Sequence, residues 1–354
     1  MSTITSLSSA AMRLRMPVPW GPGRDHQHVI VAELTDSEGA TGTGFSWTVD
    51  AGASAILAVL EDDLRPVVEG SPAVPELAWQ RLRWQLREAG GGIATLAIAA
   101  IDIGLWDLRA RALGVSLADL IGRRRDLAGV YASGVNRHLA LDELTEQAGR
   151  WVRAGHSRVK IKVGLPDLDA DVERVAAVRR VIGPRRLLMV DANQLWDQPT
   201  ARRAAAALAR YDIYWLEEPL PAHDTRGYAA LRSAIGIPVA AGESLFTEAE
   251  FLGLLTAQGC DFIQPNVCRV GGITPFLRIA GLAAAFGIPV MPHLLPDLSG
   301  QLAMCLPRPA LVEDIDQGSF AALGALERPG GISVSGDALR TLPGAGHGLA
   351  FAGA

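Results

Sequence analysis

From Val130 onward, short apolar runs alternate with amphipathic segments in a pattern that leaves few architectures open. The runs are "GVYASG", "RVKIKVG", "RLLMVD", "IYWLEEP", "IPVAAGE", "DFIQPN", "IPVMPH" and "ALVEDI", eight in all. They recur at roughly 25-residue intervals, which is the length of one strand, one helix and two turns. Strand, helix, strand at that period predicts parallel βαβ units, and eight of them fit a closed barrel. The tetrapeptide "GIPV" occurs at 236–239 and again at 287–290, each time ending a helix and entering a strand, as a repeated unit would.

The first 127 residues follow a different pattern. "HVIVAELT" and "TGTGFSW" read as strands joined around "DSEGA", and helical stretches follow near 52–68, 75–88 and 93–113. The chain therefore divides into an α+β domain over 1–127 and a barrel over 128–316. The Gly/Pro-rich segment 317–354 is expected to return to the first domain. At 354 residues the chain is too long for one ordinary core.

The net charge of −5 comes from scattered rather than clustered charges, which argues against nucleic acid or an anionic membrane as partner. A small neutral or anionic molecule is the expected partner. The apolar stretch 93–113 is broken by Asp102, Asp107 and Arg109, so it predicts a core helix rather than a membrane span. The N-terminus has no apolar core of signal length, and Cys260, Cys268 and Cys305 lack metal-finger spacing and are odd in number. These features predict a cytoplasmic protein with free thiols.

In a barrel of βα units, chemistry sits where strands end and loops begin. Here nearly every apolar run ends in a charged or polar residue: Asp191, Glu217, Glu243, Asn266, His293 and Glu313. Asp191, Glu217 and Glu243 lie 26 residues apart in each step, which places them at equivalent depth on three adjacent strands. Any one such acid could simply cap the following helix. Three together would repel one another and suffer desolvation unless a cation neutralised them. An all-carboxylate set without Cys or His favours Mg²⁺, with Mn²⁺ as a substitute.

Lys160 and Lys162 alternate with Val159, Ile161 and Val163, so both ammonium groups share one face of a strand. Neither face of a barrel strand is solvent, so the lysines are expected at the barrel mouth beside the cation. There each should have its pKa pushed down by the other and by the metal, making a neutral lysine base available. His293, at the end of the seventh run, is the remaining acid/base candidate.

The ordered elements "KIK", "DAN", "EEP" and "GE", with "IAAIDIGLWDLRARALGVSLADLIG" before them, resemble the enolase superfamily and within it the mandelate racemase group. The resemblance implies an α/β fold, a modified TIM barrel of the (β/α)7β type under an N-terminal α+β capping domain. It implies that Asp191, Glu217 and Glu243 hold Mg²⁺, which binds a substrate carboxylate. It makes Lys162 the base that removes the α-proton to give an enediolate, with Lys160 tuning its charge. Asn193 and Glu313 fall where the family contacts substrate or intermediate, and a homo-oligomer is expected. One position departs from the family: Asn266 stands where an aspartate usually pairs with the histidine. An amide can orient the imidazole but cannot stabilise imidazolium, so His293 should be a weaker base; Asp297 is the other carboxylate nearby in sequence.

A lysine base with a histidine acid predicts an acid-sugar dehydratase, eliminating β-hydroxide to give a 2-keto-3-deoxy acid. The alternative is a racemase or epimerase of an α-hydroxy or amino acid through the same intermediate. A non-catalytic ligand-binding barrel is the reading from a different class, and a Schiff-base aldolase would not need three carboxylates in register. Substrate choice is expected from the cap loop "MPVPWGPGRDHQHV", with Arg24 and His26 among its polar side chains.

Overall fold

A computed structural model of the chain describes residues 2–49 and 51–353. Three antiparallel strands open it: β1 (Ile4–Arg15), β2 (His26–Asp36) and β3 (Thr41–Thr48), in the order β1-β2-β3. The composition of β1 hides it from the sequence reading. Its "MRLR" segment alternates half-buried and exposed side chains, and Ile4 and Leu7 are its buried apolar side chains. It pairs along β2 from Ile4 to Arg15 as a half-solvated edge strand.

The helix Ile93–Ala112 packs across this sheet and is buried on nearly every face. Gly44 permits the approach, since a Cβ there would overlap the Ala100 carbonyl oxygen of the helix. The acids that interrupt its apolar run are ties to other elements. Asp102 Oδ2 accepts from Thr274 N at 2.9 Å, linking the cap to the barrel. Asp107 accepts from Thr43 N at 2.9 Å and from His347 N at 2.8 Å, and pairs with Arg111 at 2.7 Å. No helix among the described residues is long and apolar enough to cross a membrane.

The barrel strands are β4 (Ala128–Ser133), β5 (Arg158–Lys162), β6 (Leu187–Asp191), β7 (Ile213–Glu217), β8 (Val239–Ala241), β9 (Phe262–Ile263) and β10 (Leu311–Ile315). They pair in parallel from β4 through β9, and β10 pairs in parallel with β4. The seventh apolar run is reduced to one bridge, Val290 to Ile263, because Pro289 and Pro292 lack the amide hydrogens a ladder needs. Seven helices alternate with eight strand positions, the (β/α)7β arrangement. Cys260, Cys268 and Cys305 are buried free thiols.

After Asp316 the chain forms a hairpin, β11 (Ile332–Ser335) and β12 (Ala338–Thr341), with β12 antiparallel to β4 at the barrel. It then reaches the cap. Gly346 bridges Ser116, and the Phe351 ring lies 5.5 Å from Phe45.

Candidate active site

Parallel register brings the charged strand ends to one level. Lys162 pairs with Asp191, and Asp191 with Glu217, so three neighbouring strands deliver these side chains side by side. Glu243 follows the end of β8 after Gly242, whose φ of 125° turns the chain into the mouth. One carboxylate oxygen from each of Asp191, Glu217 and Glu243 lies within 4.8 Å of the others, and all three residues are buried. Glu243 Oε2 is buried without a hydrogen-bond partner, although His293 Nε2 stands 3.1 Å away in an unfavourable direction. Three buried acids, one with an unsatisfied oxygen, fit a hard divalent cation such as Mg²⁺.

Charge counting supports the same conclusion. Asp191, Glu217, Glu243 and Glu313 are four carboxylates against the ammoniums of Lys160 and Lys162 and the Arg269 guanidinium, a surplus of one negative charge. Arg269 faces Glu243 from the rim, 3.6 Å from Oε1, and donates to the Glu243 carbonyl at 2.7 Å. Its place, three residues beyond Asn266 in "NVCRV", gave no sign of this role.

The two lysines differ. Lys160 is fully buried and contacts Glu217, Glu313 Oε1 at 2.9 Å and Asp191 Oδ2 at 3.6 Å. Lys162 is 7% exposed, contacts Asp191 and faces the cavity. The expectation that their pKa values fall is corrected here. Burial is the largest effect and acts to lower both, but the surrounding carboxylates together outweigh it, led by Glu217 and Glu313 at Lys160 and by Asp191 with Glu243 and Glu313 at Lys162, so both are raised. In this cluster the carboxylates outnumber the ammoniums. In return Lys160 holds Glu313 down at about 2 against the effect of burial.

His293 is 4% exposed and borders the cavity. Burial lowers its pKa to about 4 despite Glu243 and Glu313 nearby. Its Nδ1 lies 3.1 Å from Asn266 Nδ2. Asp297 does not take the place of a dyad aspartate. Its Oδ2 accepts from Phe320 N at 3.4 Å, and burial raises it to about 6. Asn193 hydrogen-bonds to Asp191 through both its backbone and side-chain nitrogens. Asn193 (φ 44°), Glu218 (φ 36°) and Leu294 (φ 50°) are left-handed non-glycine residues just past the strand ends, where functional sites store strain. Glu218, the second acid of "EEP", binds Gln194 and Ser244 and is pushed by burial up to about 8.

These groups open into a cavity of about 560 Å³. Lys162, Asn193, Glu243, His293 and Glu313 line its floor, and the cap contributes Trp20, Arg24 and Trp47. Arg137 and His138, beyond β4, also line it; they too lay outside the sequence reading because they follow a strand with no charged end of its own. His26 is not brought to the cavity. It begins β2, and its Nδ1 lies 2.8 Å from Asp25 and 3.3 Å from Arg13.

Residues 6–122 match the mandelate racemase/muconate lactonizing enzyme N-terminal domain, and residues 143–353 match the enolase C-terminal domain-like family. The 3,6-anhydro-alpha-L-galactonate cycloisomerase of Streptomyces coelicolor is 38% identical over 80% of this chain and 80% of that protein. The L-talarate/galactarate dehydratase of Salmonella typhimurium is 37% identical over 79% of this chain and 71% of that protein. The crystal structure of L-talarate dehydratase from Polaromonas sp. JS666, complexed with Mg and L-glucarate, superposes with a TM-score of 0.89 at 35% identity, covering 100% of this chain and 96% of that one.

Proposed function

The chain belongs to the mandelate racemase/muconate lactonizing enzyme family of the enolase superfamily, and from that premise we propose that it is a magnesium-dependent acid-sugar dehydratase. One observation carries the reading: the acidic triad is flanked in strand order by two proton-handling groups, Lys162 against Asp191 and His293 against Glu243. Asp191, Glu217 and Glu243 would hold Mg²⁺, whose charge makes the proton α to a substrate carboxylate more acidic.

The side chains then divide the work. Lys162, facing the cavity from the floor, takes the α-proton on Nζ in its neutral form, which a cation held by Asp191, the carboxylate that most raises the Lys162 pKa, would favour. Lys160 cannot share that role, because it is sealed from the cavity and committed to Glu217 and Glu313. His293 offers Nε2 to the β-hydroxyl that departs, and the enol so formed tautomerises to a 2-keto-3-deoxy acid. Arg24, at the cap side of the cavity, suits a polyhydroxylated or anionic remainder of the substrate. The dehydratase relative supports loss of water. The cycloisomerase relative supports a second outcome of the same proton abstraction, isomerisation without loss of water.

Incubation with Mg²⁺ and an acid-sugar library in D₂O, followed by keto-acid assay and mass spectrometry, tests the reading. Keto acid at the mass of substrate minus water is expected. An isomer carrying α-deuterium assigns the isomerase outcome, and no turnover of any acid sugar overturns both.

A further inference from the structure

We propose that Asn266 sets the tautomer of His293, fixing the imidazole as a neutral hydrogen-bond donor at Nε2, so that the site holds one base, Lys162, instead of two. The catalytic meaning of this assignment rests on the dehydratase reading, whereas the tautomer does not.

The two ends of an asparagine amide are distinguished by what surrounds them. Asn266 Oδ1 lies 3.0 Å from Cys268 N and 3.1 Å from Arg269 N, both backbone donors that an oxygen accepts and an NH₂ group cannot. Asn266 is itself fully buried, so no water competes for this turn. Its Nδ2 therefore faces His293, 3.1 Å from Nδ1 and 3.4 Å from the His293 carbonyl oxygen. The carbonyl oxygen is an acceptor, which the same orientation satisfies. An NH₂ group offers no lone pair, so Nδ1 must present its own, and a neutral imidazole then carries its single proton on Nε2.

The opposite edge of the ring permits the same arrangement. His293 Nε2 lies 3.1 Å from Glu243 Oε2 and 3.8 Å from Glu313 Oε2, two buried acceptors with no hydrogen-bond partner. The Asn266 NH₂ group selects the Nε2–H form, and the carboxylates beyond Nε2 are compatible with it. An imidazolium would set Nδ1–H against the Asn266 NH₂.

A carboxylate at position 266 would reverse the direction. It would accept from Nδ1–H and leave the Nε2 lone pair aimed into the cavity as a base. With the amide, His293 meets the substrate as an electrophile, a role neutral imidazole fills when fixed neighbours hold its tautomer. The proton inventory closes without a co-reactant. The α-proton moves to Lys162 Nζ, and the C–O bond breaks with its electron pair on the departing oxygen. That oxygen leaves under a hydrogen bond from Nε2–H, whose proton His293 keeps, and it becomes water with the proton that the Lys162 ammonium gives up through solvent. Proton removal from the histidine face, which racemisation requires, is closed. Asn266 is thus a positioning residue that acts through His293.

Two-bond ¹H–¹⁵N correlation spectra of the full chain labelled with ¹⁵N-histidine, with and without Mg²⁺, test this directly. The His293 signals are identified by their loss in His293→Gln. A pyridine-type Nδ1 and a pyrrole-type Nε2 are expected at neutral pH; a pyrrole-type Nδ1, or an imidazolium, overturns the proposal. In Asn266→Asp, whose remaining oxygen still accepts from Cys268 N and Arg269 N, the tautomer should invert. The ratio of α-deuterated epimer to keto acid should then rise about tenfold or more. An unchanged tautomer in that variant overturns the proposal as well. The wild-type spectrum decides alone if the variant does not fold. Because the tautomer is read without turnover, a wrong tautomer and a wrong substrate class give separate failures.

Discussion

Lys160→Met removes an ammonium while keeping a flexible apolar stem of similar length, so the change isolates charge from packing. Lys160 is completely buried, and its Nζ is shared among Glu217, Glu313 at 2.9 Å and Asp191 at 3.6 Å. Losing one partner of a buried ion cluster costs about 3–5 kcal/mol, because the desolvated charges left behind are uncompensated. Two charge-assisted hydrogen bonds at about 1.5–3 kcal/mol each give about 3–6 kcal/mol, an overlapping range. Urea denaturation in EDTA should therefore show the variant less stable by about 3–5 kcal/mol. Saturating Mg²⁺ should narrow the gap, since a cation held by Asp191, Glu217 and Glu243 neutralises the carboxylates that Lys160 faced. For wild type, Mg²⁺ at about 100 times its Kd should add about 2.7 kcal/mol. A loss below about 1 kcal/mol in EDTA, or a gap that Mg²⁺ leaves unchanged, would refute the assignment of Lys160 as counterion to the metal-binding acids.

Three further outcomes follow from other parts of the molecule. Lys162→Ala should lower kcat/KM by about 10²–10⁴ on the acid sugar the library identifies, and steady-state kinetics that find turnover intact would remove Lys162 as the base. Asp102 is held by burial at a pKa of about 7, above its unfolded value, so the native state binds the extra proton between about pH 4 and 7 and stability falls as pH rises through that window. Asp102→Asn, which still accepts from Thr274 N, should gain on wild type by up to about 4 kcal/mol between pH 4 and 8 in urea titrations. Gly44→Ala places a methyl against the Ala100 carbonyl and should cost about 3 kcal/mol or more in thermal or urea unfolding, with KM rising because Trp47 of the same strand lines the cavity.

The clustering of the three acids was partly legible because a parallel ladder converts sequence interval into depth. The step of 26 residues from Asp191 to Glu217 became a pair of ladder partners with Lys162 in the same register, whereas Glu217 pairs with Ala240 and Glu243 reaches the cluster past the end of β8, through the turn at Gly242. The barrel pattern was legible for the same reason, although a run of apolar residues says nothing of how much ladder its prolines permit, as the seventh position shows. The cap was less legible. β1 buries few of its apolar side chains, and the placement of Arg24 but not His26 at the cavity depends on where a loop ends and β2 begins.

Signs of charge effects are harder to read than positions. The lysine pair reads as mutually depressed only if its surroundings are taken to be cationic. The fold instead sets Glu313, supplied by β10 from the far end of the barrel sequence, against Lys160, and the sum reverses. The direction of a hydrogen bond is harder still. Asn266 and His293 are visible as a pair in sequence, and an amide is equally able to donate or accept. Its choice is made by the backbone amides of Cys268 and Arg269, in a turn that no side-chain pattern announces. Those two main-chain donors, themselves remote from the substrate, determine which edge of His293 carries the proton and hence whether a single proton-abstracting residue serves the site.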